Sequence, residues 1–395
     1  MEEQTSSPAA HQRVSLAEFS IAAVAGLGLA LTLLFLFVMP LAGKMVATRD
    51  FVSFWATGQQ LVHRGNPYDL DAIAAREHVA GLNPRTVLIM RNPPWALVLV
   101  LPLGLMELHL ASTIWSLFLI AALLLSVRWL RQLHGSPPNS IHWLGTGFPP
   151  ALICLTMGQT TLFVLFGLVL FLRFHRSHPF RAGAALWFCT LKPHLFLPFA
   201  AALLCWIVFS RAWRLMAGAI AALALTSALS WLTDPAAWPS YLRLMRSPAV
   251  ENDFIPCLSY MLRHWLRPDA VWLQYLPAAI ACLWAILYYW RRRAAWDWTT
   301  HSSPLLLISL LAAPYTWFYD QCLAIPALLH AGYALRYRWM LTLLASVMLL
   351  IDVAMTRFLI LSTFYLWTMP FWLAWYLLAQ ASAQQTRPPL EMAAS

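Results

Sequence analysis

The sequence predicts an all-α polytopic membrane protein. Of its 395 residues, 61% are hydrophobic and only 11% are charged, a balance that a soluble protein of this size could not hide from water. The apolar residues form continuous runs of about 17 to 25 residues, the length at which a helix crosses a bilayer. A membrane β-barrel would instead show short alternating segments. We therefore predict one integral membrane domain over residues 1–395.

Arginine clusters between the apolar runs predict the orientation of the chain. A net charge of +10 suggests nucleic acid for a soluble protein, but here the arginines follow the positive-inside pattern of membrane proteins, so no nucleic-acid partner is expected. The six cysteines are scattered and predict neither a metal site nor a disulfide framework. Five clusters are predicted to face the cytoplasm: Arg128 with Arg131, Arg173 with Arg176 and Arg181, Arg211 with Arg214, Arg291 to Arg293, and Arg336 with Arg338.

The first span and the loop after it are predicted from length and periodicity. After an N-terminal tail at residues 1–16, the apolar run at 17–41 is too long for a signal peptide and is read as a retained span. Residues 42–90 form a first extracytoplasmic loop with amphipathic helices lying in the interface. One such helix presents apolar residues at a spacing of three or four: Phe51, Phe54, Trp55, Gly58 and Leu61.

The next two runs conflict with the charge pattern. If Asp50 lies outside and Arg128 inside, residues 87–105 and 108–127 cannot both cross the membrane. The segment Asn92-Pro93-Pro94 and Pro102 lie in the first of them, and proline removes a backbone donor and bends a helix. We therefore predict that residues 87–105 form a broken or re-entrant segment.

The later runs bring polar residues to the face opposite the arginines. Runs at 141–157 and 161–174 flank Gly158-Gln159, and runs from 182 and from 195 flank Lys192. The run at 213–232 leads to a second large extracytoplasmic loop at 233–269, and another outer turn holds Asp320. Spans at 339–355 and 358–378 precede a polar C-terminal tail at 380–395, for a total of roughly 12 to 13 transmembrane or re-entrant helices.

Asp50 is the residue that most needs an explanation. It follows the first span directly, and a carboxylate near hydrocarbon is costly, so such residues commonly serve chemistry or ion handling. The alternative is that Asp50 caps the helix that begins after it. Its position alone leaves both interpretations open.

Six short motifs occur in the order seen in glycosyltransferase family 87, which the chain resembles from about residue 17 to 378. The resemblance implies a C-type glycosyltransferase helical bundle with its active site on the extracytoplasmic face of a bacterial plasma membrane. It further implies inverting transfer of a hexose, with mannose as the family's expectation, from a polyprenyl phosphate donor to a lipid-linked or other acceptor. The motifs are Asp50 with Phe51 and Trp55, Gly65-Asn66-Pro67-Tyr68, Asn92-Pro93-Pro94, Gly158-Gln159, Lys192-Pro193, and Pro314-Tyr315 followed by Tyr319-Asp320.

The same resemblance implies roles for the charged residues. It makes Asp50 the general base that accepts the proton of the incoming hydroxyl. A phosphate leaving group needs cations more than it needs a proton donor. The alternative for Arg263 and Arg267 is a solvated or headgroup-binding loop, and for Lys192 a snorkelling lysine. The candidate phosphate-binding residues are Lys192, Arg91, Arg263, His264 and Arg267.

Polar and aromatic residues of the outer turns are candidates for binding the sugar or acceptor: Gln159, Asp320, Tyr315, Tyr319 and Trp55. Gln159 and Asp320 could instead hold helices together, with Asp320 positioning Lys192, and the aromatic rings could belong to an interfacial belt. The family often has His where this chain has Tyr315, which leaves His194 and His264 as substitutes. No metal ligands are predicted, and a divalent cation bridging to the phosphate stays open.

Two other functions remain at this stage. In a lipid-glycan flippase or secondary transporter, Asp50, Lys192 and Asp320 would couple ions or substrate, although no internal repeat typical of transporters is found. The other is an inactive scaffold of the same fold. Glycosyl transfer by the purified protein separates the enzyme from both.

Overall fold

The chain folds into helices throughout the part that the structure describes. The computed structural model describes residues 16–38, 49–83, 85–251, 253–355, 357–358 and 362–384. Within these ranges there is no strand, and the predicted all-α class is confirmed. The helices of the first half are α1 (Leu16–Phe37), α2 (Phe51–Val62), α3 (Leu70–Val79), α4 (Leu97–Val100), α5 (Leu108–Leu133), α6 (Trp143–Thr146), α7 (Pro149–Met157), α8 (Thr161–Phe174) and α9 (Pro179–Ala185).

The second half continues the bundle and includes helices in the predicted second loop. Short 3₁₀ segments join several helices, among them Leu186–Leu191, Pro193–Phe196 and Phe318–Ala324. The helices are α10 (Leu197–Phe209), α11 (Trp213–Thr233), α12 (Ala237–Met245), α13 (Pro248–Glu251), α14 (Leu258–Leu266), α15 (Trp272–Arg292), α16 (Trp298–Ala312), α17 (Ile325–Ala334), α18 (Trp339–Ala354) and α19 (Thr368–Gln384).

Four helices of the described ranges are long and apolar enough to cross a bilayer: α1, α5, α11 and α15 with its extension to Ala295. A fifth candidate is the pair Pro179–Leu191 and Pro193–Phe209, which is bent by 118° at Lys192. Shorter apolar helical segments, such as Thr161–Phe174 and Trp339–Ala354, complete the bundle. These findings fit a polytopic membrane protein, and the total of roughly 12 to 13 helices stays a prediction.

The segment predicted to be broken is short in the structure. Its helical part, Pro94–Leu105, would span about 18 Å, well below the roughly 30 Å of a hydrocarbon core. Gly58 of α2 packs directly on it, since a Cβ at Gly58 would lie 2.7 Å from the Gly104 nitrogen. The apolar face of α2 therefore packs into the bundle and holds this segment beside Asp50.

Several arginine clusters meet at one end of the bundle. Arg173 donates a hydrogen bond of 2.7 Å to Gln132, next to the first cluster. Arg176, Arg211 and Arg214 line one common cavity. This arrangement agrees with the prediction that these clusters share a face of the membrane.

The last span differs from its predicted bounds of 358–378. Residues Thr363–Trp367 form a 3₁₀ segment, and α19 covers Thr368–Gln384. Ser362 accepts a hydrogen bond from the Phe364 amide and starts the 3₁₀ segment, a local capping effect that hydropathy does not register. The helix thus extends into the predicted tail, whose residues 385–395 lie outside the described ranges.

Candidate active site

Several of the polar residues predicted for the outer face line one cavity of about 520 Å³. Its walls come from the residue before α2, from residues 86–93, from the α7–α8 turn, from the break at Lys192 and from the segment before Phe318–Ala324. Asp50, Gln159, Lys192, Tyr315 and Tyr319 all line it. The cavity is of a size typical of small-molecule sites.

Asp50 is one of two acidic residues that line this cavity, the other being Asp253. It stands at the N-cap position of α2, but its side chain makes no capping hydrogen bond, so the capping interpretation is wrong. Instead Gln159 Nε2 donates a hydrogen bond of 2.8 Å to Asp50 Oδ2. Desolvation raises the pKa of Asp50, while the Gln159 hydrogen bond and the Lys192 charge act in the opposite direction.

Arg49 holds the turn that presents Gln159. Its side chain is 2% exposed, and it donates to the Thr156 carbonyl at 2.5 Å and to the Leu155 carbonyl at 3.0 Å. These carbonyls end α7, where a helix leaves acceptors unpaired. Gly158 follows with φ of +74°, and a Cβ there would lie 2.7 Å from Phe51 Cβ. The Gly158-Gln159 motif therefore needs glycine because the turn is left-handed and packed against α2.

Lys192 lies between the two bent helices and forms a buried ion pair. Its Nζ is 2.7 Å from Asp320 Oδ1, and the two side chains are 10% and 0% exposed. Asp320 also accepts hydrogen bonds from Thr161 Oγ1 at 2.6 Å and from the Trp317 amide at 3.0 Å. Lys192 Nζ lies 4.8 Å from the centre of the Tyr319 ring. Asp320 thus lies behind Lys192 and fixes it, while Lys192 faces the cavity.

Arg91 lies where this cavity meets a second one of about 330 Å³, and it pairs there with Asp253. Three residues, Arg91, Asp253 and Tyr315, line both cavities. The smaller cavity is also lined by Arg246 and Arg263, so three arginines and the Asp253 carboxylate line it together. Such a surface suits a phosphate group.

The central part of the chain matches a known protein family. The model of glycosyltransferase family 87 matches residues 91–314, more than half of the chain. The chain belongs to glycosyltransferase family 87. It is therefore a glycosyltransferase, and its helices fit an integral membrane protein. No curated protein and no solved structure matches it.

The family match covers only part of the site. Arg91, Gln159 and Lys192 lie inside the matched range, whereas Asp50 and the segment from Tyr315 to Asp320 lie outside it. The structure nevertheless joins the two parts, since Gln159 contacts Asp50 and Lys192 contacts Asp320. The candidate cavity is thus assembled from the matched region and its two flanks.

Four of the predicted site residues do not line either cavity, and one of them, Asp320, lies behind Lys192. Trp55 lines a separate groove, and its indole nitrogen donates to the Met106 carbonyl at 3.0 Å. His264 and Arg267 are exposed at the end of α14. Arg263 lines only the smaller cavity, where its Nη1 donates to Gln274 at 3.2 Å.

The sequence did not predict several other contacts of this candidate site. His194 stacks on Tyr315 with ring centres 3.6 Å apart, and both line the cavity, so an imidazole does stand beside the position where the family often has one. Asn92 donates to the Leu191 carbonyl at 3.0 Å and joins two cavity walls. Asp253 pairs with a residue 162 positions away, a separation that no local pattern reveals.

Metal ligands do not cluster in the described ranges, where no group of three or more His, Cys, Asp or Glu could hold an ion. A divalent cation bridging to the donor phosphate stays a prediction. Arg91 and Lys192 are the cations that the cavity itself supplies.

Proposed function

We propose that this glycosyltransferase moves a hexose, with mannose implied by the family, from a polyprenyl phosphate donor to a lipid-linked or other extracytoplasmic acceptor. Asp50 is the general base, and the anomeric configuration is inverted. The observation that carries this proposal is that Asp50 lines one cavity together with two cations, Arg91 and Lys192. The other carboxylate of that cavity, Asp253, is paired with Arg91. A base and a leaving-group site on opposite sides of a sugar are what a single displacement requires.

The proposed step follows from this arrangement. The acceptor hydroxyl gives its proton to the Asp50 carboxylate while its oxygen bonds to the anomeric carbon. The bond from that carbon to the phosphate oxygen breaks, and the electron pair leaves with the lipid phosphate. A positioned base contributes about 10² to 10⁴ in rate, and fixed cations stabilise the charge that develops on the leaving oxygen.

The second cavity supports a site for the donor phosphate. Arg91 and Arg263 lie within it, and a guanidinium binds phosphate through two parallel hydrogen bonds. Because Arg91 is paired with Asp253, the phosphate would replace that carboxylate as its partner. His264 and Arg267 are not part of this proposal, since they are exposed elsewhere.

An apolar groove on the other side of α14 supports the lipid part of the donor. Tyr260 and Arg263 of α14 line the arginine-rich cavity, whereas Leu258, Leu262 and Trp265 line a groove of about 620 Å³ bounded also by α16 and α19. An isoprenoid chain fits such a surface because it is apolar along its length. A phosphate and a prenyl chain would then lie on opposite faces of one amphipathic helix.

The test compares Asp50→Asn with the wild type in nanodiscs supplied with a labelled polyprenyl phosphate hexose and a lipid acceptor. We expect transfer to fall by about 10² to 10⁴. Asp71→Asn is the matched control, since Asp71 is an exposed carboxylate of the same loop. Undiminished transfer by Asp50→Asn would remove Asp50 as the base. In sealed liposomes, movement of the lipid-linked sugar across the bilayer without a glycosidic product would favour the transporter alternative.

A further inference from the structure

A third polar cavity, distinct from the two described above, lies far from them at the end of the bundle where the arginine clusters meet. Its volume is about 670 Å³. It is lined by two exposed arginines, Arg211 between α10 and α11 and Arg214 in the first turn of α11, and by Arg176. The indole rings of Trp206, Trp296 and Trp298 form another part of its lining. None of these residues takes part in the proposed transfer.

The aromatic part of this cavity is preorganised. Trp298 is 1% exposed, and its ring centre lies 5.7 Å from that of Trp206 and 5.3 Å from that of Trp296. Such edge-to-face contacts hold rings in fixed positions. Tryptophan is also the residue that concentrates at the level of lipid headgroups.

The two helices that meet here place the cavity at the membrane boundary opposite the catalytic site. α11 begins at Trp213, and near its other end Ser230 donates a hydrogen bond of 2.7 Å to the Pro94 carbonyl, next to the catalytic wall. Its 21 residues extend about 31 Å, close to the thickness of a hydrocarbon core. α10 likewise starts beside Lys192 and ends at Phe209. The two cavities are therefore about one hydrocarbon thickness apart.

The charges of this cavity favour an anion. Arg176 is partly neutralised by Asp297, whose Oδ1 lies 2.7 Å from its Nη2. Arg211 and Arg214 face no acidic partner in the described ranges. The N-terminus of α11 adds a partial positive charge beside Arg214, and its cap residue Ala212 offers no side-chain acceptor.

We propose that this cavity binds a phosphate-bearing anion, held by Arg211 and Arg214 at the membrane boundary opposite the active site. Basic pockets between membrane helices bind anionic headgroups through the same chemistry, and guanidinium groups match phosphate oxygens in geometry. The source of the phosphate is either an anionic phospholipid of that leaflet or a soluble phosphate. The tryptophan lining favours the lipid.

The experiment measures retention of phosphatidylglycerol and phosphatidylcholine by the full-length protein in native mass spectrometry, with inorganic phosphate as a competing probe. The wild type is expected to retain phosphatidylglycerol in preference to phosphatidylcholine. Arg214→Gln should weaken this binding roughly fivefold, and the double variant Arg211→Asn/Arg214→Gln roughly 30-fold. Asn is chosen at 211 because that residue has φ of +53°, a region that Asn tolerates.

The control is Arg128→Gln, an exposed arginine of α5 outside the cavity, which should bind phosphatidylglycerol as the wild type does. Thermal unfolding of each variant in detergent reports whether it is folded, and the single Arg214→Gln variant serves if the double one is not. Displacement of the lipid by millimolar inorganic phosphate would support the same chemistry and assign the site to soluble phosphate. Equal retention of the two lipids, or unchanged retention in Arg214→Gln, would overturn the proposal.

Discussion

The buried Lys192–Asp320 pair allows structural and catalytic roles of one residue to be separated. Lys192 Nζ and Asp320 Oδ1 are 2.7 Å apart, and Asp320 is fully buried. Removing one partner of such a pair leaves the other charge buried without its partner, which costs about 3 to 5 kcal/mol. We therefore expect Lys192→Met and Asp320→Asn to each lower the free energy of unfolding by about this amount.

The double variant Lys192→Met/Asp320→Asn removes both charges together. In the double variant the oxygen of the residue 320 amide can still accept from the Trp317 amide, and its NH2 group can donate to Thr161 Oγ1. The double variant should therefore recover at least about 2 kcal/mol relative to the sum of the single ones. A neutral replacement of a buried pair is often well tolerated. Unfolding in detergent, followed by tryptophan fluorescence, measures the free energy of unfolding of the wild type, of the two single variants and of the double variant.

Transfer activity should not recover together with stability. If Lys192 binds the donor phosphate, its loss removes a charged hydrogen bond of about 1.5 to 3 kcal/mol, which corresponds to roughly 10-fold to 150-fold in kcat/KM. The double variant should show the same deficit for the polyprenyl phosphate donor although it is folded. A double variant with both wild-type stability and wild-type kcat/KM would refute the phosphate role and leave Lys192 a structural residue.

Three more predictions test the surroundings of the site. Gln159→Leu removes the hydrogen bond that lowers the pKa of Asp50. Because the pKa of Asp50 then rises, the acid limb of the pH–rate profile should move to higher pH. An acid limb that does not move would contradict Asp50 as the base. Glu77 is fully buried with one oxygen unpaired, and burial raises its pKa from 4.5 to about 7. The folded protein therefore favours the protonated carboxyl group. The contribution of Glu77 to the free energy of unfolding is largest below about pH 4.5 and is lost as the pH rises toward 7. Glu77→Gln should therefore raise the thermal stability at pH 8 but not at pH 4.5, and equal melting shifts at both values would exclude this linkage. Leu262→Glu places a charge in the apolar groove and should raise the KM for long-chain donors more than for a short-chain analogue. Equal effects on both donors would show that the groove does not bind the prenyl chain.

The sequence predicted the features that depend on composition and on turn chemistry. The all-α class follows from the length of the apolar runs, and Gly158-Gln159 was placed at an outer turn because a break between two apolar runs marks a loop. Asp50, Gln159 and Lys192 were likewise predicted to share a face, and they line one cavity. The charge clusters placed Gln159 and Lys192 on that face because they fix the ends of helices. Asp50 was placed there by the family resemblance, since the charges around the first span do not fix its orientation.

Residues whose roles depend on three-dimensional neighbours could not be predicted in this way. Arg49 looked like one more positive charge beside a span, yet it is buried against the end of α7, more than 100 positions further along the chain. His264 and Arg267 were selected because they are basic and on the correct face, but the direction of a side chain around α14 decides which of its residues reach a cavity. Only Arg263 does.

The two carboxylates of the site are distinguished by their hydrogen bonds. Asp320 accepts from Lys192, Thr161 and the Trp317 amide, so its oxygens are already occupied by fixed donors. Within the described ranges, the Asp50 side chain accepts from the neutral amide of Gln159 and faces the cavity. A general base must have a free lone pair that the acceptor hydroxyl can reach. This difference in partners, more than position along the chain, supports the proposal that Asp50 accepts the proton and that Asp320 orients Lys192.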